Sequence, residues 1–162
     1  MKIYFAADHA GFELKGALIE FVRGLGHEPE DCGAFAHDKD DDYPGFVAAA
    51  SRALARDAAA ALPSRAVVIG GSGQGEAIVA NRFKGVRCAL YYGAPGRSQT
   101  DMSGKELDIL ASTREHNDAN ALSLGARFVT EDEAKQVLKK WLEISFPGEE
   151  RHARRIRAID AA

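Results

Sequence analysis

Ala66-Val67-Val68-Ile69-Gly70-Gly71-Ser72-Gly73-Gln74-Gly75-Glu76-Ala77-Ile78-Val79-Ala80-Asn81 decides the fold. Its opening run is β-branched, too short for a helix, and bounded by Arg65 and Gly70, so it reads as a buried strand emptying into a glycine-rich turn. A helix follows. Glycines at 70, 71, 73 and 75 let the backbone turn tightly and expose N–H groups, and the helix behind them adds the positive end of its dipole. Such a turn suits an anion. Ser72 brings a hydroxyl that donates and accepts, and Glu76 a carboxylate in the first helical turn, so the anion could be one formed during proton transfer.

The chain around this stretch alternates strand and helix. Lys2 to Ala7 reads as a first strand, followed by Asp8-His9-Ala10-Gly11 and an amphipathic helix carrying Phe12, Leu14, Leu18, Ile19, Val22 and Leu25, which Gly26 stops. His27 to Gly33 is expected as a short strand, and Pro29 places it at a sheet edge. His37 to Asp42 is an acidic loop read as a solvated surface. Tyr43 and Pro44 open an alanine-rich helix to about Ala61. Beyond the central unit, Val86 to Tyr92 reads as a fourth strand, Gly93 to Gly104 as a loop and Lys105 to His116 as a helix. Ala121 to Gly125 is a fifth strand, Glu131 to Phe146 a helix, and Glu150 to Ala162 a terminal basic helix. The expected fold class is α/β, a Rossmann-like three-layer αβα sandwich around a five-stranded parallel sheet, with ligands gathering beyond the carboxyl ends of the strands.

Composition narrows the function classes. A chain of 162 residues fits one domain and buries roughly two thirds of its unfolded surface. A make-up 46% hydrophobic and 28% charged belongs to an ordinary globule rather than a membrane span. The net charge of −3 argues against general nucleic-acid binding. Cys32 and Cys88 lack close-spaced partners, so neither a metal site nor a disulfide framework is expected. The amino terminus enters a strand without a signal sequence, and with reduced thiols this sets the expectation of a cytoplasmic protein.

Asp8 and His9 follow the first strand, Ser72 and Glu76 the third, so both pairs leave carboxyl ends and can converge. His116-Asn117-Asp118 precedes the fifth strand. A histidine at the carboxyl end of its helix points away from that rim unless a tight turn at Asn117 or a second subunit brings it across. Each residue also has a plainer role: Asp8 as a helix cap, His9 on the surface, Glu76 answering the helix dipole, and Arg151, Arg154, Arg155 and Arg157 as a solvated face.

The constellation resembles the type B ribose-5-phosphate isomerases, grouped with the galactose-6-phosphate isomerase subunits. The resemblance rests on Ala7-Asp8-His9-Ala10-Gly11-Phe12-Glu13-Leu14-Lys15, Gly26-His27-Glu28 with Asp31-Cys32-Gly33, Asp42-Tyr43-Pro44 and Gly71-Ser72-Gly73-Gln74-Gly75. It continues through Ala80-Asn81, Arg114-Glu115-His116-Asn117-Asp118-Ala119-Asn120, Leu124-Gly125-Ala126-Arg127 and Arg151-His152-Ala153-Arg154-Arg155. It implies an aldose–ketose isomerase that needs no metal or organic cofactor. It also implies a homodimer, tetramers being a further option, with active sites between subunits and the helix from about 150 to 162 reaching the partner. Asp8 and His116 resemble ring-opening groups, Ser72 the hydroxyl beside the reacting carbonyl, and Gly71, Gly73 and Gly75 the backbone anion hole. His9 and Arg127 resemble phosphate contacts, Arg151 and Arg155 the arginines that reach the phosphate from the partner, and Tyr43 and Asn117 pocket-lining groups.

Two departures matter. Many members carry a cysteine base where this chain has Gly70; the subset reading Gly-Gly-Ser-Gly-x-Gly-Glu uses a glutamate, which Gly70 to Glu76 matches. The stretch between Tyr92 and Arg114 is longer than in relatives, which bears on substrate identity. The expected reaction is interconversion of ribose 5-phosphate and ribulose 5-phosphate through an enediolate with Glu76 as base. Alternatives are isomerisation of a six-carbon sugar phosphate (allose or galactose 6-phosphate) and a non-catalytic sugar-phosphate sensor. A dinucleotide site is disfavoured, because its glycine fingerprint belongs after the first strand, where Asp8-His9-Ala10-Gly11 stands.

Overall fold

In the computed structural model, which describes residues 1–94, 96–100, 104 and 106–161, strands and helices alternate along the chain. The elements are β1 (Lys2–Ala7), α1 (Phe12–Gly24), β2 (Glu28–Asp31), α2 (Tyr43–Ala59), β3 (Arg65–Gly70), α3 (Gln74–Ala80) and β4 (Cys88–Tyr91). They continue with β5 (Gln99–Thr100), β6 (Glu106–Leu107), α4 (Ile109–Glu115), β7 (Ala121–Gly125), α5 (Glu131–Glu143) and α6 (Glu150–Ala161). Five strands form one parallel sheet in the order β2-β1-β3-β7-β4, and β5 and β6 form a separate antiparallel ribbon.

The α/β sandwich expected from the sequence is therefore present, and the alternation of side chains along its strands builds it. Ile3, Phe5 and Ala7 of β1, Val67 and Ile69 of β3 and Leu122 and Leu124 of β7 share one face with Leu18, Val22, Leu138 and Trp141 of α1 and α5. Tyr4, Ala6, Ala66, Val68 and Ala121 face the other way, against Val47, Ala50 and Leu54 of α2 and Ala80 of α3. Both faces are apolar, as a parallel sheet covered on both sides requires. Truncating Trp141, fully enclosed, would cost about 3–5 kcal/mol.

Among the described residues β2 pairs only with β1, so Pro29 does sit in an edge strand. The charge inside α1 has a structural cause. Lys15 lies on the buried stripe with Leu18 and Val22 and is 2% exposed. Its Nζ donates to both Asp31 oxygens at 2.6 and 2.8 Å and to the Ala34 carbonyl at 2.6 Å, pinning the end of β2.

Several boundaries differ from expectation. The fourth strand starts at Cys88 rather than Val86, since Arg87 is taken up by contacts to the Asn117–Asn120 turn. The segment expected as a loop contains β5, which pairs with β6, where a helix was expected. α4 begins only at Ile109, because the Asp108 carboxylate accepts from the N–H groups of Leu110 and Ala111 at 2.9 and 3.0 Å and caps the helix there. Lys105, the expected start of that helix, lies outside the described residues, as does Ala162. α5 stops at Glu143 rather than Phe146: Ile144 is already extended, and Pro147 disfavours helical backbone in the residue before it.

Candidate active site

The strand–turn–helix unit β3–α3 forms the floor. Gly73 adopts φ +72°, and a Cβ there would stand 2.9 Å from Leu90 and Ser123 side-chain atoms and 3.0 Å from the Leu124 backbone, so the turn demands glycine on two counts. A left-handed residue in a turn is the conformation that lets successive backbone N–H groups converge on an anion. Ser72 Oγ accepts from the Gln74 N–H at 3.3 Å, holding the hydroxyl on the turn.

Side chains close over each glycine. A Cβ at position 70 would overlap the Glu76 carboxylate, so the missing side chain of Gly70 is the space in which Glu76 sits. The Tyr43 hydroxyl occupies the corresponding space above Gly75, and the Arg127 guanidinium lies over Gly71, 3.4 Å from where a Cβ would stand. β7 and its turn deliver Arg127, since the Ala126 and Arg127 N–H groups donate to the carbonyls of Gly70 and Gly71 at 2.8 and 3.2 Å.

Glu76 is 3% exposed, and burial pushes its pKa above the ordinary carboxylate value. Its own backbone N–H opposes that shift, while the negative charge of Asp8 adds to it. A carboxyl moved upward toward neutrality is tuned for taking and returning a proton. The neighbouring thiol is not: burial and Glu76 push Cys88 up to about 12.

Asp8 leaves the carboxyl end of β1. Its Oδ1 accepts from the Ala10 and Gly11 N–H groups at 3.0 and 3.2 Å, so Asp8 braces the turn before α1 and does not cap the helix, whose N-cap is Gly11. His9, beside it, is bonded to Asp41 through both its backbone N–H and ring Nδ1, each at 2.9 Å. Asp41 corrects the reading of the acidic loop as a solvated surface: its side chain is 9% exposed, unlike exposed Asp38, Asp40 and Asp42. Nothing in a run of acids distinguishes the one that folds inward. Asp8, His9 and Asp41 are also a group whose ligand atoms lie within 4.8 Å of one another, although Asp41 Oδ1 is already engaged by His9.

The remaining predicted residues lie elsewhere in this chain. His116 ends α4 and Asn117 starts the turn into β7, which puts both at the amino edge of the sheet, whereas Asp8 and Ser72 follow carboxyl ends. The five residues of β7, at about 3.3 Å each, separate those edges by about 16 Å. The turn at Asn117 does not carry His116 across. Its ring instead stacks on His152 of α6, centroids 4.4 Å apart and planes 8° apart. Arg151 Nε donates to Glu149 at 2.9 Å and to His152 Nε2 at 3.1 Å, and Arg155 is exposed on the same helix. His116 and Arg151 line a cavity of about 430 Å³ together with Glu106, Leu107 and Asp108 of the long stretch before α4.

A family model described as Ribose/Galactose Isomerase matches residues 3–103 and 104–159. The chain belongs to this isomerase family. Ribose-5-phosphate isomerase B of Mycobacterium tuberculosis is 41% identical over 157 residues, 96% of this chain and 86% of the relative. The Escherichia coli protein of the same name is 32% identical over 160 residues, 99% of this chain and 95% of the relative. Among solved structures, ribose-5-phosphate isomerase B from Mycoplasma genitalium with bound ribulose-5-phosphate superposes with a TM-score of 0.83 at 30% identity, covering 99% of this chain and 94% of that one. The type B enzyme of Trypanosoma cruzi gives a TM-score of 0.80 at 33% identity, covering 99% and 94%. The family match divides between 103 and 104, inside the stretch between Tyr92 and Arg114. Among the described residues, no helix of the isomerase is long and apolar enough to cross a membrane.

Proposed function

We propose that this isomerase interconverts ribose 5-phosphate and ribulose 5-phosphate, with Glu76 moving the proton between C1 and C2. The observation that carries the reading is the Glu76 carboxylate, buried over Gly70 beside Asp8 and raised in pKa by that burial. Asp8 and His116 open the sugar ring. Glu76 takes the C2 proton of the open-chain aldose, electrons move onto the C1 oxygen, and the resulting enediolate is held by Ser72 and the amides of Gly71, Gly73 and Gly75, each well-placed donor worth about 3 kcal/mol. The proton of the C2 hydroxyl passes to the C1 oxygen, and Glu76 returns its own proton to C1 as the C2 oxygen becomes the carbonyl, giving the ketose. No metal is assigned a step.

Phosphate binding falls to His9 and Arg127 from one chain and Arg151 and Arg155 from a second, with Tyr43 and Asn117 lining the pocket. A second copy is part of the proposal because His116, Asn117 and Arg151 lie at the opposite sheet edge from Glu76, so one chain cannot close the set on itself. A homodimer that sets the amino edge of one copy over the glycine turn of the other supplies both halves. Remote binding of the phosphate then orients the reacting carbons.

A six-carbon sugar phosphate is the second reading, favoured by one observation: Glu106, Leu107 and Asp108 wall the His116–Arg151 cavity. An assay of ribose 5-phosphate beside allose and galactose 6-phosphates, in deuterated water, tests the proposal. Ribose 5-phosphate as preferred substrate with solvent deuterium entering the product supports it. No turnover of any sugar, or turnover without solvent exchange at C1 or C2, overturns the proton-shuttle reading.

A further inference from the structure

We propose that Asp41 is a positioning residue that engages His9 through Nδ1 and leaves Nε2, as the N–H of the protonated ring, to donate to the substrate phosphate. The proposal rests on the assignment of His9 to the phosphate made above.

The geometry carries it. One carboxylate oxygen, Asp41 Oδ1, takes both the His9 backbone N–H and ring Nδ1 at 2.9 Å, so it fixes the main chain and the imidazole together. An ionised carboxylate can only accept, hence Nδ1 must carry the hydrogen; Nε2 carries the lone pair in the free neutral ring, and because a phosphate also only accepts, Nε2 meets it as the N–H of the imidazolium. His9 keeps 31% of its side chain exposed, and its Nε2 has no hydrogen-bond partner among the described residues. Asp41 Oδ2 is buried and has no hydrogen-bond partner among the described residues, so the polar contacts of the Asp41 side chain run to the histidine alone. A buried carboxylate with one oxygen unpaired is unfavourable by itself, and the doubly bonded histidine is the contact that accounts for its inward position. The loop is shaped to present it: Asp41 N–H donates to the Asp38 carbonyl at 3.1 Å and Asp40 N–H to Asp38 Oδ1 at 3.0 Å, turning residue 41 toward β1.

The test combines ring-nitrogen NMR of the free protein with binding and kinetics. At pH 8, where an ordinary imidazole is neutral, the His9 ring of the wild-type protein shows the Nδ1–H pattern. Asp41→Asn, which keeps an accepting oxygen, retains that pattern, while Asp41→Ala shifts His9 toward Nε2–H. Asp41→Ala also raises KM for ribose 5-phosphate, and weakens inorganic phosphate binding, by about five-fold with kcat within about two-fold, and Asp41→Asn restores most of the difference. In a His9→Ala background the Asp41→Ala change adds nothing. An Nε2–H pattern in the wild-type protein, an unchanged KM and phosphate affinity in Asp41→Ala, or an equal loss in the His9→Ala background overturns the proposal. The NMR and phosphate arms need no turnover and the wild-type spectrum needs no variant to fold. An inactive wild-type protein with the Nδ1–H pattern and phosphate binding intact therefore counts against the isomerase reading, not against Asp41.

Discussion

The two edges of the sheet hold the two halves of the predicted site in different states. At the carboxyl edge, Glu76, Arg127 and Tyr43 are packed over Gly70, Gly71 and Gly75 of one turn, and the central carboxylate is nearly sealed from water. At the amino edge, His116 stacks on His152 and Arg151 stands on an exposed helix face beside a cavity that His116 and Arg151 line. Proton transfer needs a fixed group in a dry place, and the buried half provides one; a phosphate handle needs cations that can close on a mobile ligand, and the exposed half has them. In the proposed site the proton-shuttling carboxylate belongs wholly to the buried half, while ring opening and phosphate binding draw on both halves.

The hardest blow to this division is struck at Glu76. Glu76→Gln is expected to lower kcat by about 10³-fold with KM nearly unchanged, measured by steady-state isomerisation; a rate near wild type would remove the carboxylate from the chemistry. Gly70→Ala probes the same space from below. Its methyl group displaces the carboxylate, and kcat falls by about 10²-fold while the melting temperature shows a folded protein. The division between chains is sharpened by mixing: Asp8→Ala and Arg151→Ala proteins, each inactive, regain about a quarter of wild-type activity after refolding together if each site draws on two copies. No recovery would place both residues in one chain's site.

The smallest effects are on stability, and they run in opposite directions in the two halves. Glu76 has a raised pKa, so the folded protein favours its neutral form; that contribution is present below the ordinary glutamate value and lost as pH rises through the raised one. Glu76→Gln should therefore raise the melting temperature by about 3 °C at pH 8 and little at pH 4. His152, 4% exposed, has its pKa lowered by burial and then by His116, so its contribution is present above about pH 6.5 and lost as pH falls through the lowered value. His152→Gln should flatten the decline in melting temperature between pH 7 and pH 5. Matching slopes in both variants would erase the electrostatic contrast between the halves.

How far each half could be read from sequence follows the range of its interactions. The glycine turn was legible because strand, turn and helix start are encoded within sixteen consecutive residues, Ala66 to Asn81. Lys15 left a usable signal, a charge on the apolar stripe with Leu18 and Val22. Asp41 left none, since its partner His9 is 32 positions away and its neighbours in sequence are also acids. β5 and β6 escaped because strands of two residues show no period, and the start of α4 moved because Asp108 caps it where periodicity alone ran the helix earlier.

By itself the sequence determined the parallel α/β sandwich, the glycine turn with Glu76 and the isomerase resemblance, because alternation, turn chemistry and local motifs act over a few residues at a time. Only the tertiary structure decided that Gly70 is the seat of the Glu76 carboxylate, that Asp41 grips His9, and that His116 stays at the far edge. Those facts depend on where separate strands end, and chain spacing alone does not carry that distance.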